Sequence, residues 1–172
     1  MPNHCSQDLW VTGPTNTLKE FKEFAKETRV YNDGSEDLLL SANKFIPYPQ
    51  KFIDMDNHAK IANLESSIYI KDGFNSGGYE WCIENWGTKW GIYDCTIVRE
   101  NLSKNNGAIK YKFNSAWSPA SKIILAMAKQ YPLLTFKLKY YESGACYKGI
   151  LIVKNDVIIE QSDSEYHGSR GG

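Results

Sequence analysis

Nowhere in the 172 residues is there an apolar run approaching the roughly 18 residues that a membrane-crossing helix needs. The start, Met1-Pro2-Asn3-His4-Cys5-Ser6-Gln7-Asp8, lacks the charged-then-apolar form of a secretory signal. The expectation is a cytoplasmic protein with no membrane contact. The four cysteines, Cys5, Cys82, Cys95 and Cys146, are scattered, whereas zinc sites and redox motifs are spelled by close pairs. His4 beside Cys5 is the nearest approach to a metal pattern. Reduced, mostly buried thiols are the simpler expectation, with no metal and no cofactor. A phosphate-cradling loop is also missing, since Asn75-Ser76-Gly77-Gly78 has neither the Lys-Ser/Thr pair nor a strand before it.

Catalytic constellations are equally thin. The histidines His4, His58 and His167 and the carboxylates Glu84, Asp94 and Glu142 assemble no nucleophile–base–orienter set from local sequence. Glu84 with Lys89, and Glu142 beside Tyr141, are the pairs that strand pairing would bring within reach, as structural polar pairs before catalytic ones. The reading leans away from an enzyme.

What the chain does have is apolar and aromatic bulk: 42% hydrophobic and 13% aromatic residues, ample for a core in one domain. Its formal charge is zero, but unevenly spread. Residues 1–98 carry nine basic against fourteen acidic side chains, while 104–154 carry nine lysines against the single acid Glu142. From residue 155 onward one basic residue faces four acidic ones. Such asymmetry suits an anionic partner, although lysines solvating one face of a sheet give the same pattern. Neutrality overall and only three arginines argue against a dedicated nucleic-acid binder.

Leu9-Trp10-Val11-Thr12 stops at Gly13-Pro14, a strand followed by a turn. Thr15, Asn16 or Thr17 can cap a helix in which Leu18, Phe21, Phe24 and Ala25 recur at helical spacing, and Asn32-Asp33-Gly34-Ser35 breaks the pattern. Phe45-Ile46-Pro47-Tyr48-Pro49 reads as a loop or sheet edge, because its prolines withhold ladder hydrogen bonds. A weak helix fits within 50–68, and 45–80 reads as an insertion covering one end of the core. Glu84-Asn85-Trp86-Gly87-Thr88-Lys89-Trp90, taken as a strand, would place Glu84, Trp86, Thr88 and Trp90 on one face, with Trp86 and Trp90 tying the insertion to the core. Strand character continues through Ile92, Tyr93, Cys95, Ile97 and Val98 to a hairpin at Asn105-Asn106-Gly107. Ile109, Tyr111 and Phe113 alternate with Lys110 and Lys112 on the return strand.

Ser118-Pro119 has the form of a helix start, with Ile123, Ile124, Ala126, Met127, Ala128 and Tyr131 as the apolar stripe and Pro132 as the stop. Phe136, Leu138 and Tyr140 then alternate with Lys137 and Lys139. Cys146 to Val153 and Val157 to Ile159 add strands around a turn at Asn155-Asp156, and 161–172 reads as a polar, loose tail. Strand, helix, strand, strand, helix, strand is the ferredoxin-like split βαβ plan: an α+β fold, with an antiparallel sheet and both helices on one face, extended by extra C-terminal strands. The alternation places Lys110, Lys112, Lys137 and Lys139 on the face opposite the helices.

Met1-Pro2-Asn3-x-Cys5-Ser6, Phe45-Ile46-Pro47-x-Pro49, Glu84-Asn85-Trp86-Gly87-Thr88-Lys89-Trp90, Ala116-Trp117-Ser118-Pro119, Tyr131-Pro132 and Tyr141-Glu142-x-Gly144 occur in that order. Together they resemble the YubB-type ferredoxin-like domain family of phage and conjugative-plasmid proteins. The resemblance spans nearly the whole chain, and the tryptophan-rich segment is its most specific part. It implies a ferredoxin-like fold, an origin on a mobile element and no accepted catalytic residues. His4 stands where such proteins commonly carry Trp, and Gly91 where they carry Asp.

Three functions follow as expectations. The first is a non-enzymatic accessory protein of a phage or plasmid that binds a host protein or complex, as an inhibitor of a host defence system. Aromatic loops at 45–52 and 74–81 would supply its anchors. The second is a single-stranded nucleic-acid binder using tyrosines and lysines of residues 104–154. The third is a binder of a small ligand or nucleotide signal, or an enzyme of uncharacterised activity. The residues singled out for binding are Glu84, Trp86, Lys89, Trp90, Lys110, Lys112, Lys137, Lys139 and Tyr141.

Overall fold

The computed structural model describes residues 3–31, 34–65 and 69–168. Strand β1 (His4–Pro14) runs into helix α1 (Thr15–Phe24). A hairpin follows, β2 (Glu27–Tyr31) with β3 (Gly34–Leu38), and then helices α2 (Gln50–Glu65) and α3 (Gly78–Asn85). The rest alternates as β4 (Tyr93–Leu102), β5 (Asn106–Ala116), α4 (Ser121–Gln130), β6 (Thr135–Glu142), β7 (Tyr147–Lys154) and β8 (Val157–Glu165). Six strands form one sheet in the order β4-β5-β1-β6-β7-β8, and β2 and β3 pair apart from it.

Within that sheet the first four core strands in chain order are β1, β4, β5 and β6. They lie side by side as β4-β5-β1-β6, every pair antiparallel. With α1 after β1 and α4 between β5 and β6, this is the ferredoxin-like arrangement. Period-two alternation sends Leu9 and Val11 of β1, Ile109, Tyr111 and Phe113 of β5, and Phe136 and Leu138 of β6 to one side. There they meet Leu18 and Phe21 of α1 and Ile123, Ile124 and Met127 of α4 in one core. Burying each such side chain contributes about 1.5–3 kcal/mol. Phe21 is its centre, with the rings of Phe45, Tyr111, Tyr131 and Phe136 between 5.3 and 6.3 Å away.

Both helix starts differ from expectation, because the capping residues have stronger partners elsewhere. The Thr15 hydroxyl donates to the Ser103 carbonyl at 2.6 Å, tying α1 to the β4–β5 turn and leaving the helix end without a side-chain cap. Ser118 donates to the carbonyl of Gly87 at 2.6 Å, and α4 begins only at Ser121. Buried Gln7 takes over at that end, its Oε1 accepting the Ala120 N–H at 3.0 Å.

The tryptophan segment is corrected most. Residues 78–85 are helix and not strand, so Glu84, Trp86, Thr88 and Trp90 share no sheet face, and the strand begins only at Tyr93. Gly87 has φ +76°, the left-handed conformation that ends helices, and both Trp86 and Gly87 return their N–H groups to the Cys82 carbonyl. The tail also differs, since residues 161–165 complete β8 and Tyr166 packs on Tyr141. The turn expected at Asn32-Asp33 and the final residues 169–172 lie outside the described residues. No helix among the described residues is long and apolar enough to cross a membrane.

Candidate functional site

On the side of the sheet away from α1 and α4, the strand register aligns side chains into three rows. Asn114, Ser6, Tyr141, Lys148 and Ser164 are cross-strand partners in the first. Lys112, Asp8, Lys139, Ile150 and Ser162 make the second, and Lys110, Trp10, Lys137, Ile152 and Glu160 the third. Adjacent members sit about 5 Å apart across the ladder. Five lysines thus share a surface with two carboxylates, Asp8 and Glu160. Lys112, Lys139 and Lys148 are exposed, and Lys110 and Lys137 half-buried.

Polar contacts organise one edge of this surface. Lys110 Nζ lies 3.1 Å from Asp8 Oδ2 and 4.5 Å from the centre of the Trp10 ring, so it holds the indole and neutralises Asp8. Among the described residues none of Lys112, Lys137, Lys139 and Lys148 is in an ion pair. Their charge is available to an anion. At the other edge Tyr141 stacks on Tyr166, ring centres 5.2 Å apart and 25° from parallel. Between Tyr166 and the Lys112–Lys139 pair lies a basin of about 530 Å³, floored by Ser6, Asp8 and Ile150. A second hollow of about 490 Å³ beside Trp10 shares Lys139 with it.

Of the residues singled out from sequence, Lys110, Lys112, Lys137, Lys139 and Tyr141 come together here. Glu84, Trp86, Lys89 and Trp90 do not. Glu84 is exposed on α3 and its backbone carbonyl, not its carboxylate, accepts from Lys122 Nζ at 2.5 Å. The Glu84–Lys89 pair does not form among the described residues; Lys89 Nζ instead lies 5.1 Å over the Trp90 ring and 5.8 Å over that of Tyr79. Trp86 is buried and donates Nε1–H to the Ile46 carbonyl at 2.9 Å, which fastens the segment between α1 and β4 to the core. Glu142 is buried, and its carboxylate accepts the N–H groups of Gly144 at 2.7 Å and Ala145 at 2.5 Å, closing the β6–β7 turn.

Sequence reasoning missed Trp10, Asp8, Ser6 and Tyr166 as members of this surface. The signal for Trp10 is present, because in Leu9-Trp10-Val11 the indole alternates with two core residues. Tyr166 follows a strand whose own residues are all exposed, so nothing local marks it. Among the described residues no three His, Cys, Asp or Glu side chains gather as metal ligands. Burial pushes the Cys5 thiol up to about 12, so it stays protonated and inert near neutrality.

No curated protein matches the chain. The crystal structure of a protein api92 from Yersinia pseudotuberculosis is similar over 98% of this chain and 99% of that one, with a TM-score of 0.58 and 9% sequence identity. At that identity the likeness is one of fold. In sequence, residues 89–170 match the family model described as the ferredoxin-like domain in Api92-like protein, so β4 through β8 and α4 carry the pattern of that domain.

Proposed function

We propose that the protein is a non-catalytic binding protein that takes single-stranded nucleic acid on the open face of its sheet. The observation that supports this most is the three-row register, which sets four lysines that form no ion pair among the described residues beside half-buried Trp10 and Tyr141. Sheets of this fold stack two or three unpaired bases on such rings, with basic side chains on the intervening phosphates. Trp10 pairs with Lys137 and Tyr141 with Ser6, four residues apart along the strands, or about 13 Å at the rise of a β-strand. The two rings would hold non-adjacent bases, with Lys139 between them.

Fluorescence anisotropy of a labelled oligothymidylate of about eight nucleotides tests the reading. Four phosphate contacts predict that log K falls with log salt at a slope of about −3. Trp10→Ala should weaken binding by about 1–3 kcal/mol, the worth of one stacked base. Absence of binding at about 50 mM salt sinks the proposal.

A second reading, a host protein as partner of an accessory factor from a mobile element, has a different support. Ile61 and Leu64, three residues apart on α2, and Tyr69 are 58%, 82% and 74% exposed, large apolar side chains of the kind interfaces use. The YubB-type resemblance implies the mobile-element origin, and inhibition of a host defence system is the role this reading proposes for such a factor. A partner captured from bacterial lysate by the wild type and lost with Ile61→Lys/Leu64→Lys supports it; equal retention by both counts against it.

A further inference from the structure

Between the β2–β3 hairpin and helices α2 and α3 lies a cavity of about 530 Å³, separate from the open sheet face. That volume is typical of small-molecule sites. Its walls are aromatic: Tyr48, Phe74, Trp86 and Trp90 line it, and Asp56 and Glu27 bring carboxylates to it. Among the described residues neither lysine nor arginine lines it, and the nearest ammonium placed against its walls is Lys89 Nζ, 5.1 Å over the Trp90 ring.

The walls are fixed. Trp86 has its N–H committed to Ile46, so what it offers the cavity is its ring. Tyr48 lies 5.7 Å from Trp86 at 35°, and its backbone N–H is held by Asn43 Oδ1 at 2.8 Å. The Tyr48 hydroxyl is enclosed and unpartnered among the described residues. Asp56 accepts the Phe74 N–H at 3.0 Å through Oδ1, and among the described residues it pairs with no cation. Glu27 accepts from Asn43 Nδ2 at 2.9 Å and from Ser41.

We propose that this cavity binds an organic cation of the alkylated ammonium class. Aromatic faces carry the negative end of their quadrupole, so they attract a cation that has little water to lose. A carboxylate at the same site adds attraction for positive charge and rejects anions. An ammonium wrapped in methyl groups matches both properties. A phosphate or carboxylate ligand matches neither.

The test is a titration of the intact protein with choline and with 3,3-dimethyl-1-butanol, which has the same shape without the charge. Tryptophan fluorescence includes the signals of Trp86 and Trp90 among the chain's five tryptophans, and calorimetry supplies an independent readout. Choline should bind with a dissociation constant below ~10 mM, given the small size of the ligand. The neutral isostere should bind at least about tenfold more weakly. Asp56→Asn should weaken choline several-fold and leave the isostere unchanged, and Trp90→Leu should weaken choline while circular dichroism shows the fold intact. Equal binding of the two ligands, or choline binding unaffected by both substitutions, overturns the proposal, as does no binding of choline by either readout. Oligothymidylate affinity should be the same with and without choline, so failure here leaves the open-face reading standing.

Discussion

Gly78 and Tyr48 fit together because residue 78 has no Cβ: one placed there would lie 2.0 Å from the Tyr48 hydroxyl and 2.9 Å from the Gly73 carbonyl. Gly78→Ala should therefore cost about 1–3 kcal/mol, read as a lower urea midpoint at unchanged slope. Glu142 is a second residue whose role is local. Removing its carboxylate in Glu142→Ala strands the N–H groups of Gly144 and Ala145, at a cost of about 1–3 kcal/mol. The cysteines divide by position. Cys146 is exposed and Cys95 partly so, whereas Cys5 and Cys82 are buried; iodoacetamide should alkylate Cys146 first in the native protein, Cys95 more slowly, and Cys5 and Cys82 only after unfolding.

Burial sets the pH response as well. It pushes the thiols of Cys5, Cys82 and Cys95 up to about 12, 11 and 12. In the unfolded chain those thiols ionise near 8.5, so above that pH the folded state holds more protons than the unfolded one. Their stabilising contribution is complete below about pH 8 and is lost as pH climbs toward 11 and 12. The urea midpoint should fall steadily across that window, and a midpoint that stays constant to about pH 10.5 would contradict this origin.

At the level of elements, the legible parts of the chain were those whose pattern repeats. The β1, β5 and β6 alternation and the α1 and α4 stripes fix a strand–helix plan, and the side of each lysine follows from period two alone. Segment 78–90 was illegible as strand because its identity depends on its ends. Gly77 at φ +117° opens the helix and Gly87 at φ +76° closes it, while Cys82 and Trp86, four residues apart, share its buried side. That spacing was available in the sequence but was outweighed by the alternation of tryptophans with polar residues. Gly87→Ala, with no Cβ-compatible backbone, should destabilise by about 1 kcal/mol and fray the end of α3. The β8 extension was illegible for another reason: an edge strand exposed along its length carries no alternation to read. Its consequence is for the shape of the open face, since β8 leads Tyr166 against Tyr141 at the rim of the basin.

On the scale of the whole molecule, charge and shape separate. The sheet's helix side is consumed by the core, the segment between α1 and β4 builds an aromatic chamber with acidic residues, and the open face gathers the lysines that make 104–154 basic. A chain with no net charge thereby presents one anion-attracting surface and one cation-attracting cavity. The lysine cluster was readable from sequence; its pairing with Trp10 and Tyr141 needed the register of β1 between β5 and β6. Titration of the isotopically labelled protein with an oligothymidylate of about eight nucleotides, followed by NMR chemical-shift mapping, tests that surface most directly. The account predicts shifts concentrated on the Trp10 indole, Tyr141, Lys112, Lys139 and Lys148, fading as salt is added. Shifts confined to α2, α3 and the β2–β3 hairpin, or none at low salt, would contradict it.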